Sequence, residues 1–310
     1  MFKISTIVYK FVLVCLLIIF PLAASSAPPE TVPSFPILPN QYRETKFSTI
    51  QENFEQRSVL FLKGRQFHNW QANKSQKAIF EEFDHLNEWR LHTWYVDPAA
   101  KTWVSREDFM IAQDLLEKGY YQRPQFIAFQ YNQTDSSYNS SSIVLNGGHF
   151  LALEAPMAKT INNFIKLLIN HQVTQLVDLT SGQTKGVNQS TMNTIASYSY
   201  SINNWTDEKA INPKNLLKLI DKVRKEYEPT GLLACYCPDG AGRTGTFLAG
   251  LILLNEIDKQ IASNPKKTKN LEISIEKIVM QLSLQRPYMV SNKEQYLTLY
   301  RLVDLYTQSL

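Results

Sequence analysis

Cys237 opens the run Cys237-Pro238-Asp239-Gly240-Ala241-Gly242-Arg243-Thr244-Gly245, a thiol and a guanidinium six positions apart with two glycines between them. The apolar run Gly231 to Tyr236 precedes it without polar alternation, as a strand covered on both faces would. Phe247, Leu248, Leu251 and Leu254 follow at helical spacing. A chain that leaves a strand and enters a helix over so few residues curls tightly, and Gly240 and Gly242 allow positive φ and close backbone approach. The loop amides then point inward. Together with the positive end of the helix they form a nest for a phosphate-sized anion, to which Arg243 adds a bidentate contact. The same field favours thiolate over thiol, and cysteines so placed titrate at ~3.5–7.5 rather than ~8.5. Cys237 is thus expected to be an ionised nucleophile aimed at phosphorus, with the Thr244 hydroxyl bonded to its sulfur. The alternative is a buried cysteine before an ordinary glycine turn. The two glycines, the Arg-Thr-Gly continuation and the strand-to-helix placement argue against it together. Cys235, two residues back on the strand, reads as a small core residue rather than a redox partner.

Cleavage of a phosphate ester also needs an acid, because an alkoxide or phenolate leaves poorly. Asp207 stands thirty residues upstream in Asn204-Trp205-Thr206-Asp207. Taken alone, this is a solvated turn bearing a carboxylate; its place ahead of the Cys237 loop makes it the candidate acid.

The elements that position these groups follow from periodicity and punctuation. Ile79, Phe80, Phe83 and Leu86 give one helical stripe, and Ser105 with Asp108 caps a second before Phe109, Ala112 and Leu115. Short β-like runs come next at Phe126–Phe129, Ser142–Leu145 and His149–Leu153. Thr160 caps a helix through Phe164, Leu167 and Leu168, and Val173–Leu179 is a strand. Asn212 and Pro213 stand at the cap and first position of a helix whose apolar face is Leu216, Leu217, Ile220 and Val223. Helices over about 274–285 and 293–308 close the chain. Strands alternating with helices predict a single α/β domain with a mixed, twisted central sheet flanked by helices.

Composition narrows the setting. Lys3 and Lys10 precede the apolar run Phe11 to Phe20, and small residues from Ala23 to Ala27 follow, the layout of a secretory signal peptide over residues 1–27. The uncharged run is shorter than the ~20 residues a spanning helix needs. The expectation is export to the periplasm or the medium, with no stable membrane anchor after cleavage. Residues 28–70 form a proline-rich extension, with Pro28, Pro29, Pro33, Pro36 and Pro39 near its start, and residues 71–310 are the expected catalytic domain. Removing two lysines lowers a net charge of only +4, which gives no case for nucleic acid as a partner. Only Cys235 and Cys237 outlast cleavage, too few for a disulfide framework, and the histidines show no zinc spacing. Neither metal nor cofactor is expected. Lys266, Lys267 and Lys269 read as a solvated loop.

Cys237 to Gly245 resembles the signature H-C-x-A-G-x-G-R-S/T-G of the cysteine-dependent protein tyrosine phosphatases, and Trp205-Thr206-Asp207 resembles their W-P-D acid loop. His149 to Pro156 with Thr160 and Phe164, Val173 to Thr180, and Arg286 with Met289 to Tyr296 are similar to further family segments in the family's order. The likeness covers about residues 75–305 and is that of an exported, bacterial-style member. It implies the family's α/β fold and metal-free, two-step hydrolysis of phosphate monoesters through a cysteinyl-phosphate. The implied substrate is phosphotyrosine on a protein, of a host or neighbouring cell. Pro238, Asp239, Gly240, Ala241, Gly242, Arg243 and Trp205 would line the substrate, and Gln295 would position water.

Several positions depart from the family. Tyr236 replaces histidine and Asp239 a small residue, and both are expected to raise the Cys237 pKa. Thr206 replaces the acid-loop proline, Ser291 matches a water-positioning glutamine, Thr184 a bracing glutamate and Gln189 a lysine. The substrate-clamping tyrosine falls near Gln125 or Phe126 without a clean match. The missing clamp leaves an inositol phosphate or phosphoinositide phosphatase as an alternative, and the other departures leave a catalytically weak phospho-binding module.

Overall fold

The computed structural model describes residues 66–96, 138–182, 195–206, 209–226, 231–264 and 271–310. The expected signal peptide, most of the proline-rich extension, the Ser105 helix, the strand at 126–129, Thr184, Gln189, the 266–269 lysines and Asp207 lie outside them.

The described elements run in the order α1 (Gln76–Val96), β1 (Ser140–Leu145), β2 (Gly148–Glu154), α2 (Ile161–Asn170), β3 (Val173–Asp178), β4 (Tyr198–Ser201), α3 (Pro213–Lys225), β5 (Leu232–Cys237), α4 (Gly242–Ser263), α5 (Ile275–Gln285) and α6 (Lys293–Thr307). The strands form one sheet in the order β1-β2-β5-β3-β4. The β1–β2 hairpin is antiparallel and every other pairing is parallel, so the sheet is mixed, as expected. β5 sits at its centre, which explains the unbroken apolar run: both faces are covered. Leu233, Cys235 and Cys237 point into the larger core layer, Ala234 and Tyr236 into the smaller. β4, only four residues long, has too little pattern to be read from sequence.

Asn212 caps α3, its side chain accepting from the Lys214 amide, with Pro213 at the first position as the dipeptide predicts. The buried face uses Leu219 alongside Leu216, Ile220 and Val223, while Leu217 is half-buried. Thr160 precedes α2 without capping it by its side chain; its hydroxyl instead accepts from the Met157 amide and closes the preceding turn.

α4 is buried on all sides from Gly242 to Leu254 and forms the axis of the larger layer, against which α3, α5 and α6 pack. α1 closes that layer with Ile79, Phe83 and Leu86 buried. Its buried Arg90 donates to the carbonyls of Met289 (2.7 Å) and Val290 (2.9 Å). That turn, in which Tyr288 and Val290 both hold positive φ, leads into α6.

Candidate active site

β5 delivers Cys237 to the carboxyl edge of the sheet with its backbone held from both sides. The Ala155 amide donates to the Cys237 carbonyl (2.8 Å) and the Leu179 amide to that of Tyr236 (2.9 Å). The chain then turns through Pro238, Asp239, Gly240 and Ala241 and enters α4 at Gly242, so Arg243 and Thr244 lie in the first helical turn. Cys237, Ala241, Arg243 and Thr244 are buried.

The two glycines are required for different reasons. Gly240 has φ +67°, and a Cβ there would lie 2.4 Å from the Leu153 carbonyl oxygen. Gly242 does not have positive φ; it is small because Ser291 Oγ and Gln295 Nε2 would lie 2.5 and 2.8 Å from a Cβ at that position. A Cβ at Gly245 would lie 2.4 Å from the Val290 amide nitrogen and 2.8 Å from the Met289 backbone. The segment leading into α6 therefore leans directly on the loop. Gln295 Oε1 accepts from the Ser291 amide (2.8 Å) and hydroxyl (3.2 Å), which turns the carboxamide nitrogen toward Gly242.

Arg286, at the end of α5, holds the loop from the other side. Nε donates to the Gly240 carbonyl (2.7 Å), Nη1 to Ser141 Oγ (3.0 Å), and Nη2 to Asn139 Oδ1 and the Asp239 carbonyl (both 3.1 Å). Asn139 donates in turn to the Glu154 carboxylate (2.8 Å). A planar guanidinium with five fixed donors suits such a cluster, and a lysine would not. Sequence periodicity gives no hint of this role; the one local signal is a lone arginine between an apolar helix and Pro287.

Trp205 is buried beyond β4. Its carbonyl accepts from Arg243 Nη1 (2.7 Å), and Ser181 Oγ both accepts from its amide (2.9 Å) and donates to its carbonyl (3.0 Å). Ser181, in the turn after β3, was not singled out from the sequence. The candidate acid loop thus begins at a peptide attached to the loop arginine.

The electrostatics of Cys237 differ from the expectation of a ready thiolate. Burial pushes its pKa up to about 12, with the Asp239 carboxylate adding to the rise, while Arg243 and Thr244 pull it down. Cys237 Sγ lies 3.2 Å from Asp239 Oδ1, and the same oxygen accepts from the Ala241 amide (3.0 Å). Asp239 therefore acts as its departure from the family suggests. Tyr236 does not: it points into the opposite layer and packs edge-on against Phe164, ring centroids 5.3 Å apart. Burial likewise raises Cys235, whose sulfur lies 3.8 Å from the Leu151 carbonyl.

A mixed sheet that carries a buried cysteine into a glycine loop, closed by the first turn of a buried helix, has the fold of the protein tyrosine phosphatases. A protein tyrosine phosphatase of Trypanosoma cruzi superposes with a TM-score of 0.56 at 17% identity, over 76% of this chain and 93% of that one. One of Trypanosoma brucei gives the same score and identity over 95% of its length. Residues 185–304 match the family model for protein-tyrosine phosphatase. Receptor-type tyrosine-protein phosphatase epsilon of Rattus norvegicus is 36% identical over 93 residues, 29% of this chain. The human alpha receptor-type enzyme is 33% identical over 95 residues, 30% of this chain. The chain spans only 12% and 11% of the length of these two relatives. The fold is shared with these solved structures, and the sequence likeness to the family lies in the matched segments.

Proposed function

We propose that this chain is a cysteine-dependent phosphatase that hydrolyses phosphate monoesters, phosphotyrosine on proteins foremost, through a cysteinyl-phosphate. The observation that carries the reading is the position of Cys237 Sγ at the floor of a loop bounded by Arg243 and the start of α4. A thiol, a guanidinium and the first turn of a helix on one short loop are the groups that phosphoryl transfer to sulfur requires.

In the first step Cys237 attacks phosphorus in line, Arg243 and the loop from Pro238 to Gly242 hold the equatorial oxygens, and Asp207 protonates the departing oxygen. Trp205 supports this step by fixing the start of the acid loop against Arg243. In the second step water, positioned by Gln295, displaces Cys237, with Thr244 stabilising the departing sulfur. The signal-like residues 1–27 support export to the periplasm or medium, where phosphoproteins of a host or neighbouring cell would be the substrates; sequencing the amino terminus of the exported protein checks the cleavage.

The test of the chemistry is turnover of aryl phosphate with chelator present. Cys237→Ser is expected to abolish turnover and keep phosphate-ester binding, because serine preserves the cradle and lacks a thiolate. Arg243→Ala is expected to damage both. A Cys237→Ser protein retaining a tenth of the activity would overturn the assignment. Phosphotyrosine, phosphoserine and inositol phosphate substrates compared on one preparation decide the substrate class.

A further inference from the structure

We propose that Asp239 is the proton acceptor of the nucleophile, so that Cys237 and Asp239 work as one proton-sharing pair rather than a preformed thiolate beside a bystander charge. This rests on the phosphatase reading above.

Two observations and one electrostatic argument carry it. Asp239 is buried inside the loop, only 4% exposed, and its Oδ1 is 3.2 Å from Cys237 Sγ. That oxygen is held in place by the Ala241 amide at 3.0 Å, and the Asp239 carbonyl by Arg286 at 3.1 Å, so the carboxylate is aimed at the sulfur by two independent restraints. Finally, two full negative charges on these two buried atoms, with a phosphate dianion arriving beside them, would repel strongly. The charged and titratable groups around the pair are Arg243 from α4, Arg286 from the end of α5 and Cys235, with Glu154 from β2 and Tyr138 ahead of β1 facing Arg286. The two arginines favour one negative charge on the pair.

The steps balance. As sulfur attacks phosphorus, the S–H bond breaks and its proton passes to Asp239 Oδ1; the S–P bond forms, the P–O ester bond breaks, and the leaving oxygen takes the proton of Asp207. Asp239 is then a neutral acid and can donate to a phosphoryl oxygen. In the second step water attacks phosphorus, one water proton goes to Asp207, the S–P bond breaks, and the departing sulfur recovers its proton from Asp239. The pair ends as it began.

Asp239→Asn separates the alternatives, because asparagine keeps the acceptor for the Ala241 amide and cannot take the proton. Thiolate is followed by ultraviolet absorbance against pH, with the Cys237→Ser protein subtracted to remove Cys235. The kcat/KM profile is measured with one aryl phosphate, whose own ionisation is common to both proteins. In the variant the thiolate midpoint is expected to fall by at least about one pH unit, a tenfold change in thiolate fraction. The acid limb of kcat/KM is expected to move the opposite way, upward, because the variant must lose the thiol proton to solvent whereas the parent keeps it in the site. Movement of both downward would make Asp239 an electrostatic brake, and movement of neither would make it a turn former; each overturns the proposal. Asp239→Ser, read the same way, serves if the amide fails to fold. Absence of turnover in the parent protein, or its persistence in Cys237→Ser, would instead remove the phosphatase reading, and the absorbance titration would still report on the pair.

Discussion

Arg243 and Trp205 are joined directly, Nη1 of the guanidinium donating to the tryptophan carbonyl across 2.7 Å. The residue proposed to grip the anion and the residue that begins the proposed acid loop therefore report on one another. Asp207 stands two positions further on. Asp207→Asn is expected to lower kcat by roughly 10²–10⁴ and to flatten the basic limb of the pH–rate profile, with good leaving groups affected less. An unchanged profile would place the acid elsewhere.

Ser181 makes two hydrogen bonds to the Trp205 peptide. Ser181→Ala is expected to cost about 1–2 kcal/mol of stability by denaturant unfolding, since it leaves a buried amide unpaired. It should also lower kcat more than it raises KM, because the loop loses its anchor while the anion cradle stays whole.

Arg286 and Gly240 form one locking contact. Gly240→Ala combines positive φ with a collision against the Leu153 carbonyl and is expected to destabilise by about 3 kcal/mol. Arg286→Lys keeps the charge but not the fork, and should lose phosphate binding as well as stability. Calorimetric titration with inorganic phosphate beside thermal unfolding separates the two effects.

The loop-facing ends of Ser291 and Gln295 share the space beside Gly242. Ser291 stands where the family resemblance places a water-positioning glutamine. Breakdown of the cysteinyl-phosphate is therefore expected to limit kcat, giving a burst of product and little dependence on leaving-group pKa. Ser291→Gln should raise kcat and shrink the burst. A linear progress curve with kcat still following leaving-group pKa would sink this.

His149 bonds Ser142 Oγ through Nε2 (2.8 Å), and burial, with His171 nearby, lowers its pKa to about 4. The unfolded chain, titrating near 6.5, binds this proton first. The contribution of neutral His149 is thus complete above about pH 6.5 and lost as pH falls toward 4. His149→Gln should make unfolding free energy less steep across that window, by about 1 kcal/mol after allowance for partial exposure.

The reach of the sequence depended on the range of each interaction. β5, the loop and α4 were readable because an apolar run, two glycines and a helical stripe are local signals, and the same holds for the Asn212-Pro213 start of α3. The charge of Asp239 was visible, but its bond to Cys237 depends on how tightly the loop curls. Thr160 had the right residue type for a cap and a different partner, because the turn at Met157 competes for its hydroxyl. Arg90 and Ser181 act on groups far away in the chain, and nothing in their neighbours marks them; Arg286 was marked by the family-like segment it opens, but its partners at Gly240, Ser141 and Asn139 were not.

The loop is completed by contacts of very long sequence range. Ser141, Asn139 and Gly240 are joined through Arg286, 145, 147 and 46 positions from them. Arg90 meets Met289 and Val290 across 199 and 200 positions. Such contacts form late, after the local ones. A nascent chain that has already emitted Cys237 still lacks Arg286, the residue that braces the loop after it. A chain cut short before α5 ends would thus carry the whole Cys237 to Gly245 run without the brace that holds it, and the proposed chemistry would arrive nearly last in synthesis.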